Sequence, residues 1–260
     1  MRMIRLNIWD VYQKRSTANG ETKRERSLNN EVRVLKKLLP DNLSYHQVEI
    51  DNEQREIAII NTDNLNIKNI YSLPKENITC GSTVYWMGNY WLVSEKDANN
   101  ELYTRAKMIQ CNHLLKWIDD SGEICEQWCV IEDGTKYLTG ELEDRNFVVT
   151  RGDTRIAMTI TRNEKTAKFN RESRFLIDDD TAEVKLSYAL TKPFKVGWTY
   201  DNEGVYKFVL QEVNSTEEDN HLLGIADYYK YYKKDNNYDN KHEQIINPEN
   251  TTEDGKKVWL

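Results

Sequence analysis

Four cysteines and four histidines are the side chains most able to do chemistry in this 260-residue chain. Cys111 and His113 alternate on what reads as one strand, which puts both on the same side, and Cys125 and Cys129 are again an even number of positions apart. Three thiols and an imidazole are a legitimate zinc set, but structural sites usually hold cysteines as CxxC on a tight knuckle. Here the pattern is C-x-H, eleven residues, then C-x3-C interrupted by the bulky pair Gln127-Trp128. Buried, inert thiols on sheet strands are the preferred reading. Cys80, beside Gly81 at a turn, has no evident partner. His46, His113, His221 and His242 fall in no nucleophile or base motif, and GxSxG, HExxH, P-loop and GxGxxG patterns are missing from the sequence. Carboxylates run together at Asp119-Asp120, Asp178-Asp179-Asp180 and Glu217-Glu218-Asp219. A glycosidase or nuclease needs two such groups converging in a cleft, which adjacency in sequence does not supply. Asp178-Asp179-Asp180 reads as a solvated turn, and the DxDxDG pattern of a calcium loop does not occur. No residue is assigned as catalytic, cofactor-binding or metal-ligating. The expectation is a protein that is not an enzyme and uses no cofactor.

The aromatics say more about the elements that would position any such group. Trp86, Trp91, Trp117, Trp128, Trp198, Tyr85, Tyr90 and Phe175 punctuate short β-branched stretches. They read first as the core of a small barrel or sandwich, and alternatively as a row that stacks on carbohydrate or peptide. Strand-like runs occur at 48–50, 56–60, 67–71, 83–87, 90–94, 107–117, 124–131, 147–149, 156–160, 173–177, 183–190 and 205–213, between Asn/Asp/Gly turns. Gly88-Asn89 and Arg151-Gly152-Asp153 are the clearest hairpin signals. One helix precedes them at 22–39. Thr22 and Glu25 form a capping box, Leu28, Val32, Leu35 and Leu39 share a face, and Pro40 ends it. Five tyrosines in the polar stretch 228–260 suggest an extended arm that orders on a partner, with plain terminal disorder as the other reading.

Composition supports a folded chain: 7 Trp and 15 Tyr accompany a mean hydropathy of −0.80. Net charge is −7, unevenly spread. Residues 1–40 carry 10 Lys/Arg against 4 Asp/Glu, whereas residues 216–260 carry 6 Lys against 10 Asp/Glu. An acidic chain with one basic end is a poor general nucleic-acid binder, because phosphate neutralisation needs a concentrated basic surface. It suits subunit contacts steered by opposite patches, or else a merely solvated charged surface. No run approaches a membrane span or a signal peptide, so the thiols are expected reduced in a cytoplasm.

Two ordered sets of landmarks resemble structural proteins of tailed phages of low-GC Gram-positive bacteria. Ile78 through Gly81, Trp86 and Trp91-Leu92-Val93 into Met108-Ile109-Gln110-Cys111-Asn112-His113-Leu114-Leu115-Lys116-Trp117 resembles a run of phage neck proteins. Asn163–Thr166, Arg174–Ile177, Tyr188–Pro193, Gly204-Val205 and Ile225–Tyr229 resemble the second half of the same proteins. The resemblance spans about 40–230 and departs at the tail, where related proteins often continue into an immunoglobulin-like domain. It implies a virion structural protein of the neck, assembled in the host cytoplasm. Such a protein is an oligomeric ring of identical copies in the head–tail connector that performs head closure after packaging. Its implied neighbours are portal or adaptor protein above and tail-terminator or tail-tube protein below, with non-specific DNA in the channel and no membrane. Loops 61–66 and 95–102 would face the channel or tail, and the helix and tail would lace subunits. A tail or baseplate protein and a carbohydrate-binding module are the rival readings. The expected organisation is a mainly β protein: an arm and helix at 1–40, a β-barrel-like domain at 41–135, a β-sandwich-like part at 136–227, and an extended tail at 228–260.

Overall fold

The computed structural model describes residues 7–97, 101–133, 155–177, 185–193, 195, 199–200 and 203–232. The mainly β expectation holds. Two helices lead, α1 (Ile8–Thr17) and α2 (Lys23–Leu38). In α2 the capping box forms as read: Glu25 N–H donates to Thr22 Oγ1 at 3.1 Å, and Thr22 N–H donates to the Glu25 carboxylate at 3.3 Å. The sequence predicts one N-terminal helix and the structure has two. The first is short, capped by Asn7, and buries nothing, so it leaves no long apolar stripe to read.

Six strands then close a barrel: β1 (Tyr45–Ile50), β2 (Glu53–Asn61), β3 (Ile67–Ser72), β4 (Thr83–Trp86), β5 (Asn89–Lys96) and β6 (Arg105–Gln110). Their order is β1-β2-β3-β6-β5-β4, closed by β4 pairing with β1. Closure leaves no strand edge, and inward residues fill the lumen: Val48, Ile50, Ile57, Ile59, Ile70, Val84, Trp91, Val93, Ala106 and Met108. Two tight hairpins set the register. Asp51-Asn52 joins β1 to β2 with both φ positive, and Met87-Gly88 joins β4 to β5 in the same way. The second turn sits one residue earlier than Gly88-Asn89, because Asn89 pairs with Trp86 and its side chain donates to the Met87 carbonyl.

The remaining strands are β7 (His113–Ile118), β8 (Ile124–Asp133), β9 (Arg155–Thr161), β10 (Arg174–Ile177), β11 (Leu186–Lys192), β12 (Thr199–Tyr200) and β13 (Glu203–Val213). Six form one sheet in the order β10-β11-β13-β9-β8-β7, with β12 paired to β13 alone. The sheet curls so that its two edge strands approach each other, giving a second barrel-like body. It wraps Leu115, Trp117, Met158, Ile160, Phe169, Phe175, Leu190, Tyr206, Phe208 and Leu210. A boundary near 135 therefore does not match the sheets: β7 pairs with β8 and β8 with β9, not with the barrel, which ends at Gln110. Trp117 and Leu115 turn into the aromatic core of the second sheet, which fixes their membership. A short helix, α3 (Tyr228–Tyr231), begins the C-terminal segment. The predicted hairpin at 151–153, the acidic run 178–180 and the tail beyond 232 lie outside the described residues.

Candidate interaction surfaces and the groups behind them

The two β bodies meet across a packed junction. Leu92, Cys111 and Val130 are buried there, with Tyr90, Ile109, Trp128 and Val205 against them. The Tyr90 and Trp128 rings stack at 4.4 Å with an interplanar angle of 15°. Backbone groups add direct bonds: Gly204 N–H donates to the Cys80 carbonyl at 2.9 Å, and Thr161 Oγ1 donates to the Gly81 carbonyl at 2.7 Å. Gly81 has φ +93°, and a Cβ there would lie 2.3 Å from the Gly204 carbonyl oxygen. Only glycine fits this approach. Asn112, between the last barrel strand and the first strand of the second sheet, pairs through its amide with the backbone of Ile131 and anchors the crossover.

This arrangement places the strand aromatics as core and junction groups. Trp91 and Trp117 are buried, and Trp128 lies under Tyr90. Among the described aromatics of that set, Tyr85 alone is exposed, at 41%. Trp198 lies outside the described residues.

The four thiols do not converge. All four are buried and free. Cys111 packs in the junction, whereas Cys125 and Cys129 pack in the core of the second sheet, with Cys129 opposite His113 in the β7–β8 register. Burial pushes the Cys80 thiol up to about 11 and the Cys111 thiol up to about 12, and it raises Cys129 further, so the metal-binding thiolate form is suppressed. Lys165 Nζ donates to Cys125 Sγ at 3.2 Å, and that contact raises the lysine. Among the described residues no group of three or more His, Cys, Asp or Glu side chains could hold a metal ion. His46 packs against Trp86 at 5.2 Å, and His242 lies outside the described residues.

The 119–120 carboxylate run serves structure locally. Asp119 accepts from the Ser121 hydroxyl and from the Ser121 and Glu123 amides, which holds its carboxyl down to about 2. Asp219 has a different place. Arg174 on β10 grips it through both guanidinium nitrogens at 2.8 and 3.0 Å and reaches Asp227 at 2.6 Å. Asp219 also accepts the Thr216 and Asp227 amides. Burial alone would raise its carboxyl, but these amides and the guanidinium outweigh it and hold the group below the ordinary range. The cluster staples segment 214–227 across one end of the second sheet. Beside it lies a cavity of about 280 Å³ bordered by Asp119, Lys165, Lys168, Arg174, Asp227 and Lys230, whose opposite charges largely face one another. In the sequence Arg174 and the 217–219 run stand as separate features. Nothing local signals that residues 45 apart form one bidentate pair.

The most exposed feature is the N-terminal arm. α1 buries no residue, and α2 buries Val32 alone. Ile8, Trp9 and Tyr12 are 83%, 72% and 64% exposed. A turn links the helices through Asn19, which bonds to Asn29 and Asn30. Arg24 ties the arm to the barrel side: one guanidinium nitrogen donates to both Glu101 carboxylate oxygens, at 2.7 and 2.8 Å. Of the loops expected to make contacts, 61–66 is a tight turn closed by Thr62 with Leu65 standing out, and the described end of 95–102 is the acceptor for Arg24. No described helix is long and apolar enough to cross a membrane.

Residues 13–110 match the family model of the YomX N-terminal domain. The matched stretch starts within α1, takes in α2, and stops at the last residue of the closed barrel. It covers well under half of the chain, and the family is phage-derived, which is consistent with a phage origin. The chain matches no curated protein and no solved structure.

Proposed function

We propose that the protein is a structural component of a tailed-phage particle. We place it in the head–tail connector ring, where it closes the head after DNA packaging and docks the tail. The observation that carries this reading is α1, a helix that buries no residue of its own chain and presents Ile8, Trp9 and Tyr12 outward. An isolated helix of 10 residues is marginal in water, so such an element takes its stability from a neighbour. The likeness of residues 13–110 to a phage-derived domain supports the particle setting. Two barrel-like bodies fixed by a packed junction provide the rigidity that a ring subunit under packaging pressure requires. The placement of Trp91 and Trp117 in the two cores and of Trp128 at the junction favours this reading over a carbohydrate-binding row.

The test is location. Antibody labelling of purified particles is expected at the vertex where head meets tail, and co-expression with portal protein is expected to yield a complex. Label along the tail or at its tip would reassign the protein to tail or baseplate. Its absence from purified particles would remove the particle role altogether.

A further inference from the structure

We infer that the N-terminal arm of one copy docks on the acidic body of a second copy of this chain, head to tail. This deepens the ring reading and rests on it. Ile8 and Tyr12 are four residues apart on α1 and Trp9 lies beside them, so the three make one apolar patch, with the Trp9 and Tyr12 rings 6.4 Å apart edge-on. At the far end of α2, Val34 and Leu38 are again four apart and 45% and 58% exposed, with Arg33, Lys36 and Lys37 around them. The arm thus offers two apolar patches within a basic surface.

Charge selects the occupant. Residues 1–40 carry 10 Lys/Arg against 4 Asp/Glu, and the remaining 220 carry 26 against 39. Each copy therefore holds both halves of a complementary pair, which is what a heterologous, ring-closing contact needs. Its own body satisfies the arm only at the margin. Among the described residues the arm's ion pair to the body is Arg24 with Glu101, both largely exposed, and no helix packs broadly on a strand. That single pair joins basic arm to acidic body within one chain and leaves the apolar patches bare.

Full-length protein labelled with heavy nitrogen, mixed with unlabelled protein at low salt and treated with a zero-length carbodiimide, tests this. Mixed-isotope crosslinks from Lys14, Lys36 or Lys37 to carboxylates beyond residue 40 are expected. Light scattering should show association that weakens as salt rises from about 0.05 to about 0.5 M. The triple variant Arg33→Glu, Lys36→Glu, Lys37→Glu and the double variant Trp9→Ser, Tyr12→Ser should each weaken association by about ten-fold or more. The urea unfolding midpoint should stay unchanged, because these side chains lie outside both cores. A monomer at every salt concentration, association indifferent to both variants, or arm crosslinks confined to one isotope would each overturn the inference. The last result would assign the arm to its own chain. A monomer that still labels the head–tail vertex defeats the docking and leaves the particle role, whereas a self-associating chain missing from particles does the reverse.

Discussion

At the scale of single residues, two positions concentrate the energetics. Arg174, Asp219 and Asp227 form a largely buried charge cluster, and removing one partner strands the others. Asp219→Asn is expected to lower unfolding free energy at neutral pH by about 3 kcal/mol in urea titrations. The pH dependence has a definite sign. A carboxyl held below its ordinary value contributes stability that is present above the unfolded pKa of about 3.9 and is lost as pH falls through the folded one. Stability of the native chain should therefore drop more steeply below about pH 4 than that of Asp219→Asn. A variant as pH-sensitive as the native chain would remove Asp219 from this role. Gly81 is the second position. Its Cβ would press on the Gly204 carbonyl at 2.3 Å with φ at +93°, so Gly81→Ala should cost on the order of 3 kcal/mol. An unchanged denaturation midpoint would mean that the two bodies do not approach there.

Elements show where local chemistry and global fold agree or conflict. The α2 cap is fully determined by Thr22 and Glu25. The β4–β5 turn is a compromise, because Met87 occupies a left-handed position that suits Asn or Gly. Met87→Asn creates the favoured pair ahead of Gly88 and should stabilise the protein by about 1 kcal/mol, read as a raised urea midpoint. No change would indicate that the turn is not of that type. α1 is the opposite case. Its local cap is sound, yet the element has no interior to pack on, and its persistence depends on what covers Ile8, Trp9 and Tyr12.

For the whole molecule, the junction decides whether the two bodies act as one. Trp128 on Tyr90, together with Leu92, Cys111 and Val130, ties them over a continuous apolar contact. Calorimetry is expected to show a single transition for the native chain. Trp128→Ala should cost about 3 kcal/mol and separate the transition into two. One unsplit transition in that variant would show that the backbone bonds at Gly81 and Gly204 suffice alone. In the proposed ring a rigid unit of this kind would transmit load between neighbours, so the junction belongs to that proposal as much as the arm does.

The strands, the α2 cap and the basic arm were legible in the sequence because each is written in nearest neighbours: alternation, a turn pair, a threonine three residues before a glutamate. The burial of Trp91 and Trp117 was readable for the same reason. What only the tertiary structure decided was partnership over long separations. Whether Leu115 and Trp117 close the first barrel or open the second sheet depends on which core has room for them, and alternation is identical in both. The Arg174–Asp219 pair, the glycine contact between residues 81 and 204, and the exposure of α1 are likewise set by how finished elements stack. Local pattern fixes which face of a strand is apolar, and only packing chooses the surface that face meets.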